Sequence, residues 1–327
     1  MTAQSAGSAV SSATGWAAPG VDIGVIVPQV RLGYDELLHK ARRVEELGLH
    51  SFWIYDHLYA PMLAAQPAFE GWTLATALLA NTSTLRVGHL VLCNNFRHPA
   101  LLAKMATTLD VISNGRLELG IGSGSYEAEH LEAGLPWGSF AERTDRLAEA
   151  LDVITAMFSG EPTTYSGTHY QLRELPNLPP PTQTPRPPLH IGGAGERYTL
   201  PLVARHADVW NVPTYALGEF AAKRDALARA CEAIGRDRST VRIALEAVLV
   251  VAPDDAAVDT AREQTLRRFP GPGWGVAEGG FVGTPAAIVD RMQSYIEHGV
   301  SLFTFFLHDR ATDATLDLLA GEVASKF

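Results

Sequence analysis

Five stretches of the chain carry side chains able to bind or react, and four of them directly follow an apolar run of strand character. The first is Asp56-His57, directly after Phe52-Trp53-Ile54-Tyr55. A carboxylate beside an imidazole can hold a polar ring and move a proton near neutral pH. The same pair also suits a helix-capping aspartate with a surface histidine. The second is Val91-Leu92-Cys93-Asn94-Asn95, followed by Arg97-His98-Pro99. Asparagine amides match the donor and acceptor edge of a heterocycle. Arg97 and His98 stand before a helix start, where an anion or ordinary capping would fit equally. Cys93 reads as a buried thiol with no reactive role.

The third stretch is Gly120-Ile121-Gly122-Ser123-Gly124-Ser125-Tyr126. Its spacing is GxGxG, which is neither the dinucleotide fingerprint GxGxxG nor the nucleophile turn GxSxG. Glycines here let backbone approach a flat ligand closely. Glu127, Glu129 and His130 form the fourth stretch. Residues i and i+2 do not face each other on a helix, so the two acids read as solvated helix-start residues. The fifth is Gly192-Gly193-Ala194-Gly195 ahead of a helix, which serves either a phosphate or a tight turn. No HxH or HExxH occurs among eleven histidines, and Cys93 and Cys231 lie far apart. No metal site and no disulfide are expected.

These residues need a scaffold that brings strand ends together. Eight runs have strand character: 23–27, 51–55, 85–92, 117–121, 189–192, 208–212, 242–251 and 302–307. Helical periods fill the gaps at 34–47, 72–80, from Pro99 to Asn114, 139–158, 196–206, 218–234, 254–268, from Pro285, and 312–324. Ser139 and Glu142 have capping-box spacing, and Thr284-Pro285 supplies an N-cap with proline at N1. Parallel strands need such crossovers, and eight of them close an α/β barrel of the TIM type; an open doubly wound sheet is the alternative. Insertions fall at 159–188, which is rich in proline, and at 269–283.

The chain has 327 residues, 46% hydrophobic and 19% charged, enough for one large core. A net charge of −10 speaks against nucleic acid. No apolar run reaches the roughly 20 residues of a membrane span, and the start of the chain lacks the pattern of a secretory signal. The expected organisation is a disordered tail over 1–20 and a barrel domain over 21–327, in the cytoplasm. The sequon at Asn81 has no role there.

Taken together, Leu85–Gly124, Tyr126–His130 (YEAEH), Ala141–Leu151, Pro188–Gly195 (PLHIGGAG) and His206–Trp210 (HADVW) resemble the luciferase-like monooxygenase superfamily of flavin- and deazaflavin-dependent barrels. Asp56-His57 resembles the branch that uses coenzyme F420, an 8-hydroxy-5-deazaflavin. The resemblance implies that His57 faces the reacting centre and Asp56 the ring edge. It implies ring-binding walls at Val91, Cys93, Asn94, Gly122, Ser123 and Tyr126, and a phosphate site at Gly192, Gly193, Ala194 and Gly195. It also implies a non-prolyl cis peptide near Leu90-Val91. Where alcohol-oxidising relatives carry a tryptophan and a glutamate, this chain has Pro61 and Ser125, so their acid/base set is incomplete. The expected function is hydride transfer between F420 and a small organic substrate. The alternatives are an FMN-dependent monooxygenase or a non-catalytic flavin-binding barrel. A homodimer is expected.

Overall fold

In the computed structural model, which describes residues 15–61, 63–268, 276 and 280–327, eight parallel strands close on themselves. They are β1 (Asp22–Ile26), β2 (Ser51–Ile54), β3 (Arg86–His89), β4 (Leu117–Gly122), β5 (Leu189–Gly192), β6 (Val209–Val212), β7 (Arg242–Val251) and β8 (Val300–Leu307). Each pairs with the next, and β1 returns to β8 with Ile23 opposite Phe303. Closure excludes the open doubly wound sheet.

The register divides the apolar residues between two layers. Along β7, Ala244, Val248 and Val250 join Ile26, Trp53, Leu302 and Phe306 inside the barrel. Leu245, Ala247 and Leu249 face the helices instead. A slip of one residue would exchange the two sets. Trp53 fills the lower barrel, its Nε1 donating to Ser51 Oγ at 2.7 Å. A Cβ at Gly24 would lie 2.7 Å from Trp53 Nε1, and one at Gly88 would lie 2.6 Å from its ring, so glycine is required at both. Alongside, Glu118 accepts from Arg86 and lies 2.6 Å from His190 Nε2, tying β3, β4 and β5 together. Burial pushes the Glu118 carboxyl up, but those two partners outweigh it and hold it well below its ordinary value.

Local signals account for the helix ends. Pro99 opens Pro99–Ser113, His98 Nδ1 accepts from the Ala100 amide, and Asn114 closes it at φ 55. The capping box at Ser139 and Glu142 opens Phe140–Met157. Thr284 stands at the N-cap of Pro285–Ile296, but its side chain makes no capping bond. The last helix, Asp313–Leu318, loosens into a π turn over Leu319–Val323.

Three features differ from the sequence expectation. The 159–188 insertion holds an antiparallel hairpin, Thr163–Ser166 with Gln171–Leu175. Residues 15–20 do not belong to a tail: Trp16 is buried and Ala17 bridges to Arg242, at the start of β7. The buried Trp16 ring, together with the Ala17 amide donating to the Val241 carbonyl at 3.2 Å, holds this segment against the barrel. Residues 1–14, Trp274 and most of the 269–283 insertion lie outside the described residues, while Phe281–Gly283 pairs with Leu249–Val251. Among the described residues, no helix is long and apolar enough to cross a membrane.

Candidate active site at the barrel mouth

The C-terminal ends of the strands surround a cavity of about 1470 Å³. Ligand pockets commonly span roughly 300–1,000 Å³, so there is room for a large flat molecule and a second one. Asp56, His57, Val91, Cys93, Gly122, Ser123, Tyr126 and the turn Gly192-Gly193-Ala194-Gly195 all line it. Asn94 does not. A 3₁₀ turn over Asn94–Phe96 turns its side chain back, so Nδ2 donates to Tyr170 Oη at 3.4 Å. The ring-wall role expected of Asn94 is therefore withdrawn.

One wall is flat because glycine makes it so. The Leu90-Val91 peptide is cis, where the resemblance implied it, and Val91 projects between β4 and β5. A Cβ on Gly122 would lie 2.9 Å from Val91 Cγ2, and one on Gly192 would lie 3.2 Å from Cγ1. Only side-chain-free backbone at those positions leaves the valine presented to the cavity. A planar ring fits against such a platform, and this is the structural feature that suits a flavin-type group.

His57 is held on another part of the wall. Its Nδ1 lies 2.9 Å from Glu129 Oε2, and the Glu129 side chain is 1% exposed. Glu129 Oε1 also accepts from the amides of Leu58 and Tyr59. Burial pushes this carboxyl up, yet the bonds from His57 and the two amides outweigh it, so it sits below its ordinary value. An ionised carboxylate only accepts, so His57 Nδ1 carries the hydrogen and Nε2 is the nitrogen left to exchange a proton with a ligand. Sequence reasoning missed Glu129. The spacing argument correctly separated it from Glu127, but its partner comes from the loop after β2, which no helix periodicity reveals. The place left by Ser125 is thus not the only source of a carboxylate here.

Asp56 has a different task from that expected of a ring contact alone. It takes a two-pronged ion pair from Arg97 at 2.8 and 2.9 Å and the Cys93 amide at 2.8 Å. These bonds pin the segment after the Val91 platform to β2. Arg97 also donates to Glu70, so it is committed to carboxylates rather than to an anionic ligand. Cys93 Sγ lies 3.3 Å from His130 Nε2, and burial pushes the thiol up to about 12. It is an unreactive wall residue.

The glycine turn after β5 is fixed by its own backbone. Gly193 donates to the Asn211 carbonyl at 3.2 Å and accepts from Trp210 Nε1 at 2.8 Å. Its φ of +125 excludes other residues without strain. Gly195 O caps the helix Thr199–His206 through the Thr199 and Leu200 amides. The turn forms a cavity wall beside a helix start, an arrangement suited to a phosphate.

A second residue missed in the sequence is Glu246, the one acid in the apolar run of β7. It faces the cavity, and Asn211 Nδ2 donates to its Oε2 at 3.1 Å. Burial without a counter-charge pushes this carboxyl up to about 7, with the Asn211 bond opposing. The signal was available: a lone glutamate at an inward register position.

The luciferase-like monooxygenase family model matches residues 14–273. A curated F420-dependent hydroxymycolic acid dehydrogenase of Mycobacterium tuberculosis is 30% identical over 249 residues, 76% of this chain and 67% of its own length. An F420-dependent glucose-6-phosphate dehydrogenase of Microbacterium testaceum is 33% identical over 242 residues, covering 72% and 69%. Among solved structures, the coenzyme F420-dependent tetrahydromethanopterin reductase of Methanopyrus kandleri superposes with a TM-score of 0.78 at 18% identity, covering 94% and 99%. The FMN complex of a Baeyer-Villiger monooxygenase component from Pseudomonas putida gives 0.75 at 19%, covering 94% and 99%. These structural likenesses establish the closed barrel, and the sequence matches establish descent: the chain belongs to the luciferase-like monooxygenase family.

Proposed function

We propose that this chain is an oxidoreductase that transfers hydride between coenzyme F420 and a small organic substrate at the barrel mouth. The observation that carries the reading is the buried Glu129 carboxylate holding the His57 imidazole on the cavity wall. A pure storage site for a ring needs no such dyad. Relatives at 30% and 33% identity named as F420-dependent dehydrogenases support the choice of cofactor.

When bound, a deazaflavin supplies a carbon that carries hydride as a two-electron unit. The chain's own residues do the rest. Val91, Gly122 and Gly192 position the ring plane, and the turn from Gly192 to Gly195 takes the phosphate. Glu129 fixes the His57 tautomer, so that Nε2 gives or takes the proton that balances hydride movement at the substrate. Asp56 keeps the platform in place through Arg97 and the Cys93 amide. The buried thiols Cys93 and Cys231 suit a cytoplasmic location.

A second reading, an FMN-dependent monooxygenase, is favoured by one relative: a flavin-dependent trigonelline monooxygenase component of Acinetobacter baylyi, 31% identical over 159 residues. Separate anaerobic titrations with F420 and FMN, followed by ligand fluorescence, decide between them. The proposal expects micromolar binding of F420 and at least tenfold weaker binding of FMN. Tight FMN binding with no F420 binding would replace it with the second reading.

A further inference from the structure

The cavity holds a second polar pair that the proton path through His57 leaves unused. Glu246 projects inward from the middle of β7, and Asn211 projects inward from β6, where it pairs in register with Ala244 and Gly192. Asn211 Nδ2 binds Glu246 Oε2, but Asn211 Oδ1, on a side chain 2% exposed, has no partner among the described residues. A buried amide oxygen left without a donor is destabilising, so on a cavity wall it favours a ligand that donates to it. The other Glu246 oxygen likewise has no bond among the described residues, and no cation neighbours the carboxyl there.

From this geometry we infer that Glu246 and Asn211 recognise a neutral amide-type group on the substrate, its carbonyl accepting from the Glu246 acid and its N–H donating to Asn211 Oδ1. This deepens the reading above and rests on it, since it names the substrate class of the same cavity. A carboxylate or phosphate is disfavoured because it would meet Glu246 directly. A cation is disfavoured because burial favours the uncharged acid, which titrates at about 7. The groups that sense Glu246 are Asn211 on β6, Tyr55 just after β2, whose phenol is pushed up by burial first and this carboxyl second, and Tyr215 after β6, pushed up by burial with a smaller push from Glu246. None of them supplies a positive charge.

Four probes of similar size separate the possibilities: 2-piperidone, cyclohexanone, cyclohexanecarboxylate and cyclohexylamine. Their dissociation constants are measured by saturation-transfer NMR on the F420-loaded chain, and on the chain alone, at pH 6 and pH 8. The lactam should bind most tightly at pH 6, the ketone next, and the two ions weakly. Glu246→Leu should weaken the lactam about tenfold, the equivalent of one hydrogen bond, with F420 affinity unchanged. Should that variant fail to fold, Glu246→Gln gives an independent reading. Between pH 6 and pH 8 the wild-type ketone affinity should fall about tenfold as the acid with a midpoint near 7 loses its proton. In Glu246→Gln it should stay level.

Tighter binding of either ion than of the lactam would overturn the inference. So would a Glu246 variant that lowers F420 affinity while leaving the lactam untouched, which would assign the pair to the cofactor edge. Failure of the parent reading looks different: the chain would bind no F420, while the lactam would still depend on Glu246.

Discussion

Replacing Glu246 with glutamine isolates what an uncompensated buried carboxyl does to the fold. Glutamine keeps the shape and can still bond Asn211, but it does not titrate. In the folded chain the carboxyl titrates at about 7, against an ordinary 4.5, because burial disfavours its charge. At about 1.36 kcal/mol per pH unit the gap is worth on the order of 3 kcal/mol. The sign follows from proton binding. Between pH 4.5 and 7 the folded chain keeps a proton that the unfolded chain has lost, so wild-type stability falls as pH rises through that window and levels above it. Urea unfolding of both proteins at pH 5, 6, 7 and 8 measures the effect. The variant's advantage should open by about 2–3 kcal/mol from the lowest to the highest pH. A constant gap, or a wild type that gains on the variant with rising pH, would refute the reasoning.

Other consequences are independent of that carboxyl. His57→Ala should cut turnover by about 10²–10⁴-fold with cofactor affinity changed far less, and near-normal turnover would make the histidine a bystander. Glu129→Gln should lose much of the same rate, and the double variant should be little worse than His57→Ala; fully additive losses in steady-state assays would separate the two residues. Gly192→Val puts branched carbons into the platform, where its Cβ alone would lie 3.2 Å from Val91 Cγ1. Cofactor binding should weaken at least tenfold in a chain with a native circular dichroism spectrum, and unchanged affinity would move the ring elsewhere. Cys93 should resist thiol reagents at pH 8, since burial pushes its thiol to about 12; rapid labelling in the native state would contradict the wall assignment.

The barrel was legible because its strands are long apolar runs separated by strong stop signals, such as Asn114-Gly115 and the capping box at Ser139. The residues on each strand's own exit could also be read: His57, Val91, Gly122 and the turn after β5 all reach the cavity. What the linear pattern hid were relations between different loops. Glu129 sits 72 residues from His57 and meets it only because the helix after β4 leans on the loop after β2. Asn94 failed for the complementary reason, since a single 3₁₀ turn rotated it away from the wall. Trp16 was lost in a small-residue stretch whose composition outweighed one buried ring. The hairpin at 163–175 followed the same logic, with too few residues per strand for alternation to stand out.

The most direct test is a crystal structure of the chain with F420 bound. The account predicts the deazaflavin plane against Val91, Gly122 and Gly192, the phosphate at the turn from Gly192 to Gly195, and His57 Nε2 facing the site of a substrate atom about 3–3.5 Å from the hydride-carrying carbon. A ring bound away from that platform, or turned so that His57 cannot reach its reactive edge, would contradict it.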